Sequence, residues 1–163
     1  MEKRIAIVPG SFDPITLGHL DIIERAANTY DLVYVAVMMN SEKNYLFPLS
    51  QRERIAKAAI GVRANVKVIS SEGMLWELAK KLGACAIVKG VRNEVDLAYE
   101  KKMADFNSAH YPAAETVLLP SKEEYRNLSS TLVREKIRAC EDLSDFLPSE
   151  AINEIRKIFP TTL

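Results

Sequence analysis

The residues best suited to chemistry come in short polar strings that follow apolar runs. The first is Pro9-Gly10-Ser11-Phe12-Asp13-Pro14-Ile15-Thr16-Leu17-Gly18-His19, directly after Ile5-Ala6-Ile7-Val8. It offers a hydroxyl beside a glycine, a turn at Asp13-Pro14, and Thr-x-Gly-His where a helix should begin. A helix start presents unpaired amides and the positive end of the helix dipole, and both favour phosphate. Gly18 lets a ligand approach the backbone, and His19 in the first turn can donate a hydrogen bond to a phosphoryl oxygen. Further along stand Lys43 in a polar loop, Lys89-Gly90-Val91-Arg92 after another apolar run, and Ser129-Ser130-Thr131 at a second helix start. Cations, hydroxyls and helix N-termini are what a site needs to align two anions and neutralise charge during phosphoryl or nucleotidyl transfer.

What is missing narrows the chemistry. There is no Gly-x-Gly-x-x-Gly string and no Walker-type Gly-Lys-Ser/Thr loop. No Ser-His-Asp set or carboxylate pair stands out, and a phosphate-monoester nucleophile needs none. Its second pKa lies near ~6, so at neutral pH it is already mostly an anion. His19 and His110 are the only histidines and lie far apart, so no protein-built metal site is expected. Cys85 and Cys140 belong to no Cys-x-x-Cys pair, and the apolar run around Cys85 predicts a buried thiol.

Each candidate also has a plainer explanation. Thr16 and Ser129 would cap helices in any protein. Lys43 would be a solvated charge, Arg92 a residue ending a turn, and Tyr125 a packed loop tyrosine. Leu75 reads first as core, Met74 and Trp76 as core or subunit contact, and Glu100 as a helix-face partner of Asp96 or a nearby lysine. Lys89 is harder to dismiss, because a charge beside a buried strand needs a reason.

Together the strings are more specific than any one of them. Gly10-Ser11-Phe12-Asp13-Pro14 with Thr16-Leu17-Gly18-His19 resembles the H/TxGH signature of the nucleotidyltransferase superfamily, and Ser129-Ser130-Thr131-Leu132-Val133-Arg134 resembles its SSTxxR signature. Within it, Lys43, Lys89-Gly90-Val91-Arg92 and Asp96-x-x-Tyr99-Glu100 make the chain similar to the phosphopantetheine adenylyltransferases over essentially its whole length. That resemblance implies AMP transfer from ATP to 4′-phosphopantetheine, with magnesium, giving dephospho-coenzyme A and pyrophosphate. It implies His19, Lys43 and Lys89 as the catalytic residues, and Ser11, Lys43, Leu75 and Lys89 against the phosphopantetheine. For ATP it implies Ser11, Phe12 and His19, then Gly90, Val91, Arg92 and Glu100, then Tyr125, Arg126, Asn127, Leu128, Ser129, Ser130 and Thr131. It also implies a homohexamer and coenzyme A as a feedback inhibitor. Lys89 departs from the arginine usual in the family, keeping the charge but not the bidentate fork.

The elements that must position these strings follow from periodicity. Ile5–Val8, Leu32–Val37, Val66–Ile69, Ala86–Val88 and Thr116–Leu119 read as strands, and their continuous hydrophobicity predicts cover on both faces. Helical patterns run from His19 to Tyr30, from a capping box at Ser50-Gln51-Arg52-Glu53 to Gly61, from Met74 to Leu82 before Gly83, and from about Glu94 to His110. Two more begin near Ser129 and after Pro148-Ser149. The alternation predicts a single α/β domain over 1–163, a Rossmann-like doubly wound sheet of about five parallel strands with ligands at the strands' carboxyl ends.

With 163 residues and 22 basic against 22 acidic side chains, the chain has no basic run to track a nucleic-acid backbone. No apolar stretch would span a bilayer and no signal-peptide core follows Met1, so the expected location is the cytoplasm. Rival readings are an adenylyltransferase for nicotinate mononucleotide, an ATP-sensing module without turnover, and a protein built only for interaction. Retention of His19 and both lysines favours an enzyme.

Overall fold

The apolar runs become one parallel sheet in the computed structural model, which describes residues 1–160. Its strands are β1 (Ile5–Gly10), β2 (Leu32–Met38), β3 (Val66–Ser71), β4 (Ala86–Val91) and β5 (Glu115–Pro120), in the spatial order β3-β2-β1-β4-β5. The helices are α1 (Leu17–Thr29), α2 (Leu49–Ile60), α3 (Leu75–Leu82), α4 (Glu94–His110), α5 (Ser130–Arg138) and α6 (Ser149–Ile158). Chain order reverses at β1, which is the switch point of a doubly wound sheet.

Alternation along β1 divides the core. Ala6 and Val8 join Ile22, Ile23 and Ala26 of α1, Ile55 of α2 and Ile152 and Ile155 of α6 on one face. Ile7 joins Ile87 and Ala79 on the other, beside Leu75, Leu78 and Leu82 of α3. Ile7, Ile15, Val33, Phe47 and Ile155 are all fully buried, each worth about 1.5–3 kcal/mol on transfer from water.

Several expectations need correcting. β3 and β5 are the sheet edges and are only half covered; Lys67 and Glu115 point to solvent. The helix predicted to open with a capping box at Ser50 instead starts two residues earlier, with Pro48 as N-cap and no side-chain cap. Its Arg52 is withdrawn from the helix surface and buried. Cys85 is exposed, because it precedes β4 at the sheet's amino end, where its thiol donates to Ile5 O. Other helix ends follow their signals: Thr16 and Ser129 cap α1 and α5, and Gly83 closes α3 in the left-handed conformation at φ 63°.

Strand register opens the site. β1 and β2 pair from Ile5↔Leu32 to Gly10↔Val37, whereas β1 and β4 pair only at Ala6↔Ala86 and Ile7↔Ile87. Beyond Ile7 the two strands part, and the gap between Val8–Gly10 and Val88–Gly90 is the floor of a cleft. α1 starts above it, packed so closely on β4 that a Cβ on Gly90 would lie 2.9 Å from Ile22 Cγ1.

Candidate active site

The cleft encloses about 550 Å³ at the carboxyl ends of β1 and β4. Gly10, Ser11 and Phe12 make its first wall. Phe12 adopts φ 46°, a backbone conformation that side chains rarely take, and turns its ring inward until it is 2 % exposed. The ring lies under Gly10, where a Cβ would stand 3.0 Å from Phe12 Cζ, and meets His19 edge to face at 5.0 Å.

His19 is held by the cap of its own helix. The Thr16 amide donates to Nδ1 at 3.0 Å, and the Thr16 hydroxyl accepts from the His19 amide at 3.4 Å. An Nδ1 that accepts from an amide carries no proton, so in the neutral ring the proton is on Nε2. Burial, then the charges of Lys89 and Arg92, push the pKa down to about 4. The ring is therefore neutral at ordinary pH.

The cations have acidic partners on one face of α4. Lys89 lies within β4 and sits 3.3 Å from Glu100, with side chains 25 % and 13 % exposed. Arg92 grips Asp96 through Nε at 2.9 Å and Nη2 at 3.4 Å. Lys43 stands exposed on the loop after β2 and has no ion pair among the described residues.

The two signature strings are tied to each other. Ser130 Oγ donates to Pro14 O at 2.8 Å, and Arg134 donates to Asp13 O and Thr131 Oγ1, each at 3.0 Å. The Ser129 hydroxyl caps α5 by accepting from the Leu132 amide at 3.1 Å. Asp13, 3 % exposed, accepts from the amides of Leu46 and Phe47 at 2.9 and 3.0 Å and so anchors the lysine loop. Arg52 braces that loop from below, donating to Ser11 O at 2.6 Å, Met38 O at 2.9 Å and Phe47 O at 3.0 Å, with the Tyr45 ring 3.8 Å above its guanidinium.

Of the residues singled out in the sequence, the cleft gathers Ser11, Phe12, His19, Lys43, Lys89, Gly90, Arg92, Glu100, Tyr125, Leu128, Ser129, Ser130 and Thr131. Val91, Arg126 and Asn127 are not part of its lining; Arg126 pairs with Glu123 at the surface. Leu75 lines a second, smaller cavity of about 70 Å³, walled by Ile87, Tyr99, Met103, Ala104, Asn107 and Thr116, which shares Lys89 and Glu100 with the cleft. Asn107 is 4 % exposed, and its side-chain amide has no hydrogen-bond partner among the described residues. Sequence reasoning named Asp13, Arg52, Asp96 and Arg134 only as members of a turn, a capping box or a signature string, without a place in the site, and did not single out Asn107. Asp13 and Arg134 were legible as members of the two strings, whereas nothing local distinguished Arg52 or Asn107 from ordinary helix residues.

A neutral histidine, paired cations and two helix N-termini at the switch point of a doubly wound sheet define a nucleotidyltransferase. The cytidylyltransferase-like family model matches residues 7–136. A phosphopantetheine adenylyltransferase of Streptococcus gordonii is 42% identical over 96% of this chain and 96% of its own length. One from Caldanaerobacter subterraneus subsp. tengcongensis is 42% identical over 96% and 98%. Among solved structures, a putative nicotinate-nucleotide adenylyltransferase from Vibrio parahaemolyticus superposes with a TM-score of 0.74 at 19% identity, covering 99% of this chain and 96% of that one, a likeness of fold. The chain belongs to the phosphopantetheine adenylyltransferase family.

Proposed function

We propose that this chain transfers AMP from ATP to the phosphate of 4′-phosphopantetheine, forming dephospho-coenzyme A and releasing pyrophosphate. The observation that carries the reading is the pairing of a cationic cleft with an adjoining apolar cavity whose wall holds the unpartnered Asn107 amide. A phosphate ester with a long amide-bearing arm is the acceptor that uses both.

In this reading the acceptor phosphate, already an anion, attacks the α-phosphorus in line, and pyrophosphate leaves with the bond electrons. The Nε2 proton of His19 is donated as a hydrogen bond to an α-phosphate oxygen as charge builds there, while the ring stays neutral. Lys43 and Lys89 hold the attacking phosphate with Ser11; Arg92 and the N-terminus of α5 take the β- and γ-phosphates, with Tyr125 toward the base. Magnesium, when bound, supplies further neutralisation on the polyphosphate. Asp13, Asp96 and Glu100 already have protein partners, and no group of three or more His, Cys, Asp or Glu gathers among the described residues. The donor set thus suits a metal held mainly by nucleotide oxygens and water.

The same reading makes the protein a cytoplasmic homohexamer inhibited by coenzyme A, which would compete for the two cavities. An apolar face on α4 supports self-association: Val95, Tyr99 and Phe106 are 79%, 59% and 40% exposed, and Phe106 adjoins the Trp76–His110 stack. Mixing ATP with 4′-phosphopantetheine and nicotinate mononucleotide, then weighing the products by mass spectrometry, tests the acceptor. Dephospho-coenzyme A alone is expected. An adenylylated mononucleotide would assign the chain the other acceptor, and no adduct would leave an ATP sensor.

A further inference from the structure

Among the described residues, Lys89 and Glu100 are the only charged ones that line both the cleft and the smaller cavity. Their ion pair at 3.3 Å therefore stands at the wall between the two spaces. We propose that Glu100 is a built-in competitor of the substrate phosphate: it occupies Lys89 in the free protein and must give that ammonium up when the phosphate arrives. The inference rests on the acceptor assigned above and adds to it an internal counter-ion that sets how tightly the acceptor phosphate is held.

Three observations carry it. The pair is largely shielded, 25 % and 13 % exposed, so the attraction is screened far less than at the surface. Lys89 presents a compact ammonium, not a planar fork, so a carboxylate and a phosphate that both approach it are brought close to each other and repel. An acceptor that reaches from the cleft into the smaller cavity must pass this pair, bringing a phosphate of about −1.5 to −2 charge next to the Glu100 carboxylate. The neighbouring Asp96 is no such competitor, because it lines the cleft alone and is gripped by Arg92 through two hydrogen bonds. The cost of displacing Glu100 falls only on ligands that bring a phosphate to Lys89; a ligand that fills the apolar cavity without one leaves the pair undisturbed. The pair thus lowers affinity for the phosphorylated acceptor while keeping the ammonium neutralised in the free protein.

Glu100→Gln tests this by a gain that mere damage would not produce. Calorimetric titration with 4′-phosphopantetheine and with pantetheine, on wild type and variant, reads the effect. Binding of 4′-phosphopantetheine should tighten about tenfold in the variant, as expected when one like charge is removed at close range. Pantetheine, lacking the phosphate, should bind both proteins equally. Unchanged or weaker binding of 4′-phosphopantetheine by the variant, or an equal shift for both ligands, would overturn the inference while leaving the acceptor assignment intact. Failure of the wild type to bind 4′-phosphopantetheine at all would remove the assignment and this inference with it.

Discussion

In the proposed reaction His19 has a task for each ring nitrogen: Nδ1 accepts from the Thr16 amide, which leaves the proton on Nε2 to serve the α-phosphate. Truncation to alanine should therefore cost turnover far more than binding. We expect kcat to fall about 10²–10³-fold, the usual cost of one lost transition-state donor, while the Kd for ATP stays within a few-fold. Stability should carry its own signature. The folded pKa of about 4 lies below the unfolded value of 6.5, so the unfolded chain binds more protons between those limits. Stability is then full above pH 6.5 and is lost as pH falls toward 4. Thermal melts of His19→Gln should show a shallower loss between pH 6.5 and 4.5 than wild type; parallel curves would contradict the buried neutral ring.

At the scale of elements, two devices set the geometry. The first is the buried bracket of Asp13 and Arg52, which fastens the Lys43 loop to the first signature string. Asp13→Asn replaces an acceptor of two amides by a group that can accept at one atom only, so one amide is left unpaired. The loop should loosen: trypsin should cut after Lys43 sooner, and KM for the acceptor should rise more than kcat falls. The second device is the contact of α1 on β4. Gly90→Ala forces a methyl group to within 2.9 Å of Ile22, and should lower unfolding stability by about 1–3 kcal/mol in urea titrations. These elements were only partly legible in the sequence. Strand positions were readable because each is a run of apolar side chains, and α1, α3 and α5 carried true caps. The Ser50 string failed as a cap because Pro48 begins that helix and Arg52 is drawn beneath the lysine loop, a tertiary demand that periodicity does not encode. Cys85 failed similarly: an apolar neighbourhood in sequence says nothing about which end of the sheet a residue occupies.

For the whole molecule, the site lies where β1 and β4 part, and the apolar face of α4 lies outside that cleft. Light scattering should report six copies of the chain, and Phe106→Glu should yield smaller species, since a charge would be placed within that face. A wild-type monomer would contradict the assembly while leaving the chemistry untouched. The signature strings were readable because phosphate binding is done by contiguous turns and helix starts. Asn107 was not assignable from the chain alone, and Glu100 was readable as a partner of a nearby lysine but not as Lys89's partner at a wall, because that depends on two cavities that meet only after α4 packs on β4 and β5.

The most direct measurement is pyrophosphate release from Mg-ATP and 4′-phosphopantetheine by wild type and His19→Ala, with ATP binding followed in parallel. The account predicts steady release by the wild type that depends on the acceptor, and its near-complete loss in the variant with ATP still bound. Release that persists at the wild-type rate without His19, or that never depends on the acceptor, would contradict it.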